Sequence, residues 1–257
     1  MKHIVIIGGG AAGLMAACTA NYIYRNGGAE ITVVEKNERP ARKLMITGKG
    51  RCNVCNNCDI DTLIANVPEN GRFLYSAFSG FAPQDTMTFF ESLGVSLKTE
   101  RGNRVFPVSD KASDIVDALV KAAKRGGAEI IQGTAKKILT ENGAVSGVFL
   151  ENGEALPADS VILATGGMSY PLTGSTGDGY KIARALGHTV TEIKPSLVAL
   201  NAHEGFCERL AGLSLKNVAL SVFEEGKKKP VFSELGEMLF THFGISGPLV
   251  LSASAHM

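Results

Sequence analysis

The sequence predicts an α/β fold that opens on a βαβ unit and becomes β-rich near residue 190. Three observations carry this. The β-branched run Ile4-Val5-Ile6-Ile7 reads as a buried parallel strand, 11–25 as a helix ending near Gly27-Gly28, and 30–35 as a second strand. The short connections are those of a parallel sheet. Asn142-Gly143 and Asn152-Gly153 mark the turns of a β-meander over 137–158, because paired positive φ angles favour Asn-Gly. The division expected is 1–189 as an α/β domain and 190–257 as part of a β-rich domain, with strands at 197–200, 218–223 and 231–232.

The remaining elements follow in order. Residues 36–81 read as irregular, with Gly, Asn, Arg and Cys gathered at 48–58, and so long an irregular stretch is usually functional. A helix over 83–93 places Phe89, Phe90 and Leu93 on an apolar side and stops at Gly94. A second helix, 111–125, carries the stripe Ile115, Val116, Leu119, Val120 and Ala123. Strands follow at 129–132, 137–141 and 144–150, then a buried strand at 161–164 leads into Thr165-Gly166-Gly167. A helix over 176–186 ends at Gly187.

Composition narrows the function classes. Lys+Arg is 26 and Asp+Glu is 25, giving a net charge of +1, whereas a protein living on phosphate contacts shows a basic excess. Lys227-Lys228-Lys229 reads as a solvated hairpin tip, so no nucleic-acid partner is expected. Five cysteines, an odd number with no secretory leader, point to reduced thiols and a cytoplasmic location. The uncharged segment 4–24 raises a membrane span as a rival. Gly8-Gly9-Gly10 would weaken such a helix and the run before it prefers a strand, so no membrane partner is expected.

Gly8-x-Gly10-x-x-Gly13 follows the first strand and opens the first helix, in the pattern of a Rossmann-like dinucleotide site. Gly8 allows the tight turn, Gly10 the approach of a pyrophosphate, and Gly13 close helix–strand packing. Ala11 and Ala12 complete a helix N-terminus that favours phosphate. Glu35, at the end of the second strand, suits ribose hydroxyls and would repel a 2′-phosphate; Lys36 follows it.

The ADP portion is shared by FAD and NAD, and three later features favour FAD. The meander returns to 161–167, which resembles the strand-then-Ala-Thr-Gly signature of two-dinucleotide-binding flavoproteins, although an ordinary glycine turn gives the same letters. Residues 173–179, Thr-Gly-Ser-Thr-Gly-Asp-Gly, are similar to a stretch in fumarate-reductase-like flavoproteins, and also suit a capped helix. Residues 42–54 supply cations for phosphates and glycines for backbone approach.

Four motifs together, 48–54, 104–119, 166–188 and 239–248, make the chain resemble the BaiN-type flavoproteins, also called aminoacetone-oxidase-like NAD(P)/FAD-dependent oxidoreductases. The resemblance implies an FAD-binding domain of the two-dinucleotide-binding flavoprotein type, an inserted substrate domain, and a redox reaction at the flavin with NAD(P)H as a transient donor. Some members reduce carbon–carbon double bonds in bile-acid intermediates, which implies a small, enone-type substrate. By the same match Gly8 to Gly13 and Glu35 hold ADP. Lys43, Gly50, Arg51, Cys52 and Asn53 lie along pyrophosphate and flavin, Ala135 faces adenine, and Thr165 and Gly166 border the cofactor.

Two departures stand out. Cys55 replaces the family's usual Thr, creating Cys52-x-x-Cys55-x-x-Cys58. A fourth thiolate for an iron–sulfur cluster does not follow, so no metal is expected; a redox disulfide or unpaired thiols remain. The chain also stops inside the substrate domain, where family members continue, and impaired FAD binding is expected for so short a form. His242, with Thr241 and Ser246, is the candidate for the polar side of the substrate site, as acid or oxyanion partner, against a structural role in a turn. Arg51 is the second catalytic candidate. A flavin-dependent tRNA-modifying protein and a flavin sensor without turnover are the competing functions. The sequence does not give the oligomeric state.

Overall fold

A computed structural model describes residues 1–24 and 27–257. The chain divides into two compact units: Met1–Ile64 with Arg72–Val190, and Ala65–Gly71 with Thr191–Met257.

The first unit is built on β1 (Lys2–Ile7), α1 (Ala11–Ile23) and β2 (Ala29–Glu35). Residue 25, expected at the end of α1, lies outside the described residues. Then come α2 (Arg42–Ile46), α3 (Ile60–Ala65), α4 (Tyr75–Gly80), α5 (Pro83–Ser92), the hairpin β3 (Leu97–Glu100) and β4 (Arg104–Pro107), and α6 (Ala112–Arg125). Strand β5 (Glu129–Gln132) precedes the meander β6 (Ala135–Glu141), β7 (Ala144–Leu150) and β8 (Ala155–Pro157), followed by β9 (Ser160–Leu163) and α7 (Asp178–Ala185). The central sheet has the order β5-β2-β1-β9, all parallel.

Side-chain alternation along β1 divides the core. Ile4 and Ile6 pack with Leu14 and Ala17 of α1 and Ile115 and Leu119 of α6, while Val5 and Ile7 pack with Val148 and Leu150 of the meander. A sheet covered on both faces has apolar strands throughout, which accounts for the uncharged 4–7 run. Buried Asn21 donates from Nδ2 to the Ala123 carbonyl at 2.9 Å and ties α1 to α6. No helix among the described residues is long and apolar enough to cross a membrane.

Several expectations need correction. Residues 36–81 hold short helices, too brief to leave a clear period. The β3–β4 hairpin passes unnoticed in the sequence because its turn, Arg101-Gly102-Asn103, lacks the Asn-Gly order. Strand β9 is not buried: it is the sheet edge among the described residues, with Ile162 and Leu163 each more than a third exposed.

In the second unit β10 (Leu200–Asn201), α8 (Phe206–Arg209), β11 (Ser214–Val222), β12 (Phe232–Thr241), β13 (Gly244–Ser246) and α9 (Pro248–Ser254) form an antiparallel sheet of order β10-β13-β12-β11 with α9 on its apolar side. The strand expected at 197–200 shrinks to two residues, and the one at 231–232 grows to ten. Gly236 hides β12 from a reading by propensity; it sits there because Leu249 packs over it, 3.3 Å from where a Cβ would be. The lysine run lies in the β11–β12 connection, where Lys227 pairs with Glu224.

Candidate cofactor site

A cavity of about 570 Å³ opens at the C-terminal ends of β1, β2 and β9, where ligands bind in open parallel sheets. Its lining includes Gly8, Gly10, Ala11, Ala12, Glu35, Lys36, Lys43, Ala135, Thr165 and Gly166.

The three fingerprint glycines have different physical reasons. Gly8 has φ 110°, and a Cβ there would lie 2.4 Å from the Ala164 carbonyl oxygen. A Cβ on Gly13 would lie 1.8 Å from the Gly8 carbonyl oxygen, so this glycine serves packing and does not border the cavity. A Cβ on Gly10 would meet nothing within 4 Å, and its backbone is extended at φ −79°. Protein packing therefore gives no reason for glycine at position 10, and an approaching ligand does. Gly10 is also the N-cap of α1 and has no side chain to satisfy the first-turn N–H groups, an arrangement that favours an anion.

Glu35 is 7 % exposed. Its Oε2 accepts from the Gly9 backbone N at 2.8 Å, and its Oε1 accepts from Asn37 N at 2.8 Å and Asn37 Nδ2 at 2.6 Å. The segment after β9 is clamped across the cavity. Lys36 Nζ donates to Thr176 Oγ1 at 2.5 Å and Asp178 Oδ2 at 2.7 Å. Lys43 Nζ donates to the Ser169 carbonyl at 2.9 Å and to buried Ser175 Oγ at 2.6 Å. The Lys36 ammonium, with the Thr176 hydroxyl, holds the Asp178 carboxyl below its ordinary value. Asn37, Ser175 and Asp178 also border the cavity, beyond the ligands the sequence suggests. Asn37 joins local partners, Glu35 and Arg42, to the distant Thr173 carbonyl.

Gly50, Arg51, Cys52 and Asn53 do not line this cavity. Arg51 Nη1 donates to Glu100 Oε1 and Oε2, both at 3.0 Å, and to Asp110 Oδ1 at 3.3 Å, and its guanidinium lies 4.0 Å from the Phe106 ring centroid. Glu100 and Asp110 push the Arg51 pKa above its ordinary value. With its amide turned to satisfy both, Asn53 Nδ2 donates to Cys55 O at 3.0 Å and Val105 O at 3.3 Å. Lys49 and buried Cys52 adopt left-handed backbone, φ 60° and 62°, a strained state that persists only where neighbours enforce it.

Cys52, Cys55 and Cys58 are free thiols. Burial, then the neighbouring Cys58, pushes the Cys55 thiol up to about 11. No group of three or more His, Cys, Asp or Glu able to hold a metal occurs among the described residues. In the second unit His242 is exposed in the turn between β12 and β13, edge-on to Phe243 with centroids 5.0 Å apart. Thr241 Oγ1 beside it is buried without a hydrogen-bond partner among the described residues.

The model of the HI0933-like protein Rossmann domain matches residues 2–251. The chain is 34% identical over 258 residues to a 3-dehydro-bile acid delta(4,6)-reductase of Clostridium scindens, covering 100% of this chain and 61% of that protein. It is 30% identical over 253 residues to a ribosomal RNA dihydrouridine synthase of Escherichia coli, covering 98% and 60%. To the enzyme of that name in Haemophilus influenzae it is 30% identical over 256 residues, covering 97% and 60%. The chain thus spans about three fifths of the length of these relatives. With the match running through both units, the chain belongs to the HI0933-like Rossmann-domain family.

Proposed function

We propose that this chain is the cofactor-holding part of an FAD-dependent oxidoreductase that moves a hydride between flavin and an electron-poor double bond of a small organic substrate, with NAD(P)H as the electron source. The observation that carries the reading is Gly10, a glycine with free space on the cavity side at an uncapped helix N-terminus. The residues present fit a dinucleotide. The first-turn N–H groups of α1 would hold the pyrophosphate, Glu35 a ribose hydroxyl, and the backbone at Ala135 the adenine. Thr165 and Gly166 border the path beyond. Bound FAD supplies hydride-transfer chemistry, and the protein's share is binding, orientation and charge. Lys36 and Lys43 bring positive charge to the phosphates while holding the 169–178 segment in place.

The bile-acid reductase relative favours a steroid-like enone as substrate. His242, within Thr241-His242-Phe243-Gly244-Ile245-Ser246, is the candidate acid for the carbon adjacent to the one that takes the hydride. Arg51, in its ion pairs, is a positioning group for the 48–53 loop rather than an acid. The test is absorbance and cofactor release: the purified chain, or one extended to the length of its relatives, carries a flavin spectrum and yields FAD on heating. An extended chain that stays colourless with added FAD ends the reading.

The two dihydrouridine synthase relatives support a second reading, in which the reduced double bond lies in a base of structured RNA. The near balance of acids and bases weighs against it. Tight RNA binding that weakens steeply with salt would favour it over the small-molecule substrate.

A further inference from the structure

Among the described residues Asn37 is the one side chain that hydrogen-bonds Glu35, and the geometry gives it a task. A carboxylate oxygen accepts about two hydrogen bonds. Oε1 of Glu35 has both, from Asn37 N and Asn37 Nδ2, at 2.8 and 2.6 Å. Oε2 has one, from Gly9 N at 2.8 Å. The remaining acceptor position is therefore on Oε2. Asn37 is itself fixed from two other directions. Its Oδ1 accepts from Arg42 Nη1 at 3.2 Å, and its Nδ2 reaches the Thr173 carbonyl at 3.3 Å. A Cβ on Gly174 would come within 2.5 Å of Nδ2, so the place of the amide depends on a glycine there. Turning the amide over would set its oxygen against the carboxylate.

We propose that Asn37 is a positioning residue for nucleotide specificity: by filling Oε1 it makes Glu35 read one ribose hydroxyl through Oε2. The ligand class is an adenine nucleotide with an intact ribose diol, and the inference rests on the dinucleotide reading above. Through Thr173 the same amide ties ribose recognition to the segment that crosses the cavity.

The test is a ratio, because a merely structural role would weaken every nucleotide alike. Calorimetry on the chain freed of nucleotide gives Kd for ADP, 2′-deoxy-ADP and 3′-deoxy-ADP. The native chain should bind one of the deoxy forms about tenfold more weakly than ADP, the worth of one hydrogen bond to a charged acceptor. In Asn37→Asp, the same shape without the donor, and in Asn37→Ala, which adds no charge, that ratio should fall below about twofold. Either variant suffices if the other fails to fold. A ratio unchanged in a folded variant overturns the proposal, as does a native chain that binds ADP without sensing either hydroxyl. A native chain that binds no ADP removes the dinucleotide reading itself, and is told apart by that.

Discussion

Residues 8–13 and 48–53 are both glycine-rich turns, and the sequence assigns both to the cofactor, yet only the first borders the cavity. In the first turn the protein uses Gly8 and Gly13 for its own packing and leaves Gly10 free. In the second, Gly48 is taken up by the fold: a Cβ there would lie 2.8 Å from the Phe106 ring and 2.9 Å from Asn53 N. The nearby cation is taken up too, since Arg51 is held by Glu100, Asp110 and Phe106. Glycine shows that backbone comes close to something. The glycine that points to a ligand is the one that borders the cavity and whose neighbours give it no other reason.

Substitution sharpens that contrast, and the largest effect belongs to Gly13. Gly13→Ala drives a Cβ into the Gly8 carbonyl and should cost about 3 kcal/mol in urea unfolding. Gly10→Ala should change stability by under about 1 kcal/mol and weaken ADP binding at least about tenfold. If the two variants lose equal stability, Gly10 is a packing glycine and the contrast is gone. Arg51→Gln comes next: it should lower the melting temperature, more at low salt than at high, and leave ADP affinity intact. Loss of ADP binding in that variant would bring the 48–53 loop back to the phosphates.

Acid titration should show a smaller effect. Lys36 lowers the Asp178 pKa in the folded chain. Its contribution to stability is therefore present above the unfolded value, near 3.8, and disappears as pH falls through the lower folded value. Asp178→Asn should flatten the stability profile in that acid range; an identical profile would mean the clamp across the cavity adds nothing. The smallest effect concerns Cys55. With its thiol pushed up to about 11, alkylation by iodoacetamide near pH 8 should be much slower than for a free cysteine, because the thiolate is the nucleophile. Rapid modification, read by peptide mass, would show the 52–58 loop to be open.

Much of the first unit was legible because its signals are local. The β-branched run of β1, the glycines after it, Glu35 at the end of β2 and the Asn-Gly turn of the meander each show their physics within a few residues. What stayed hidden depends on distant partners. The clamp of Lys36 on Asp178 joins groups 142 residues apart, and Arg51 meets Glu100 across 49. The exposure of β9 is a matter of what lies beside it, which its own apolar letters do not say. In the second unit β11 is legible through its alternation, whereas β12 alternates only in part and is hidden from a reading of its letters.

The place of β1 in its sheet also sets an order of assembly. One edge pairs with β2 after a single helix, but the other waits for β9, which begins at Ser160. Until then the innermost strand carries a bare row of amides beside the nascent cofactor turn, the kind of edge that recruits wrong partners. Closure over such a separation is slow. During refolding, pulse-labelled hydrogen exchange should therefore protect the β1–β2 amides before those of β9.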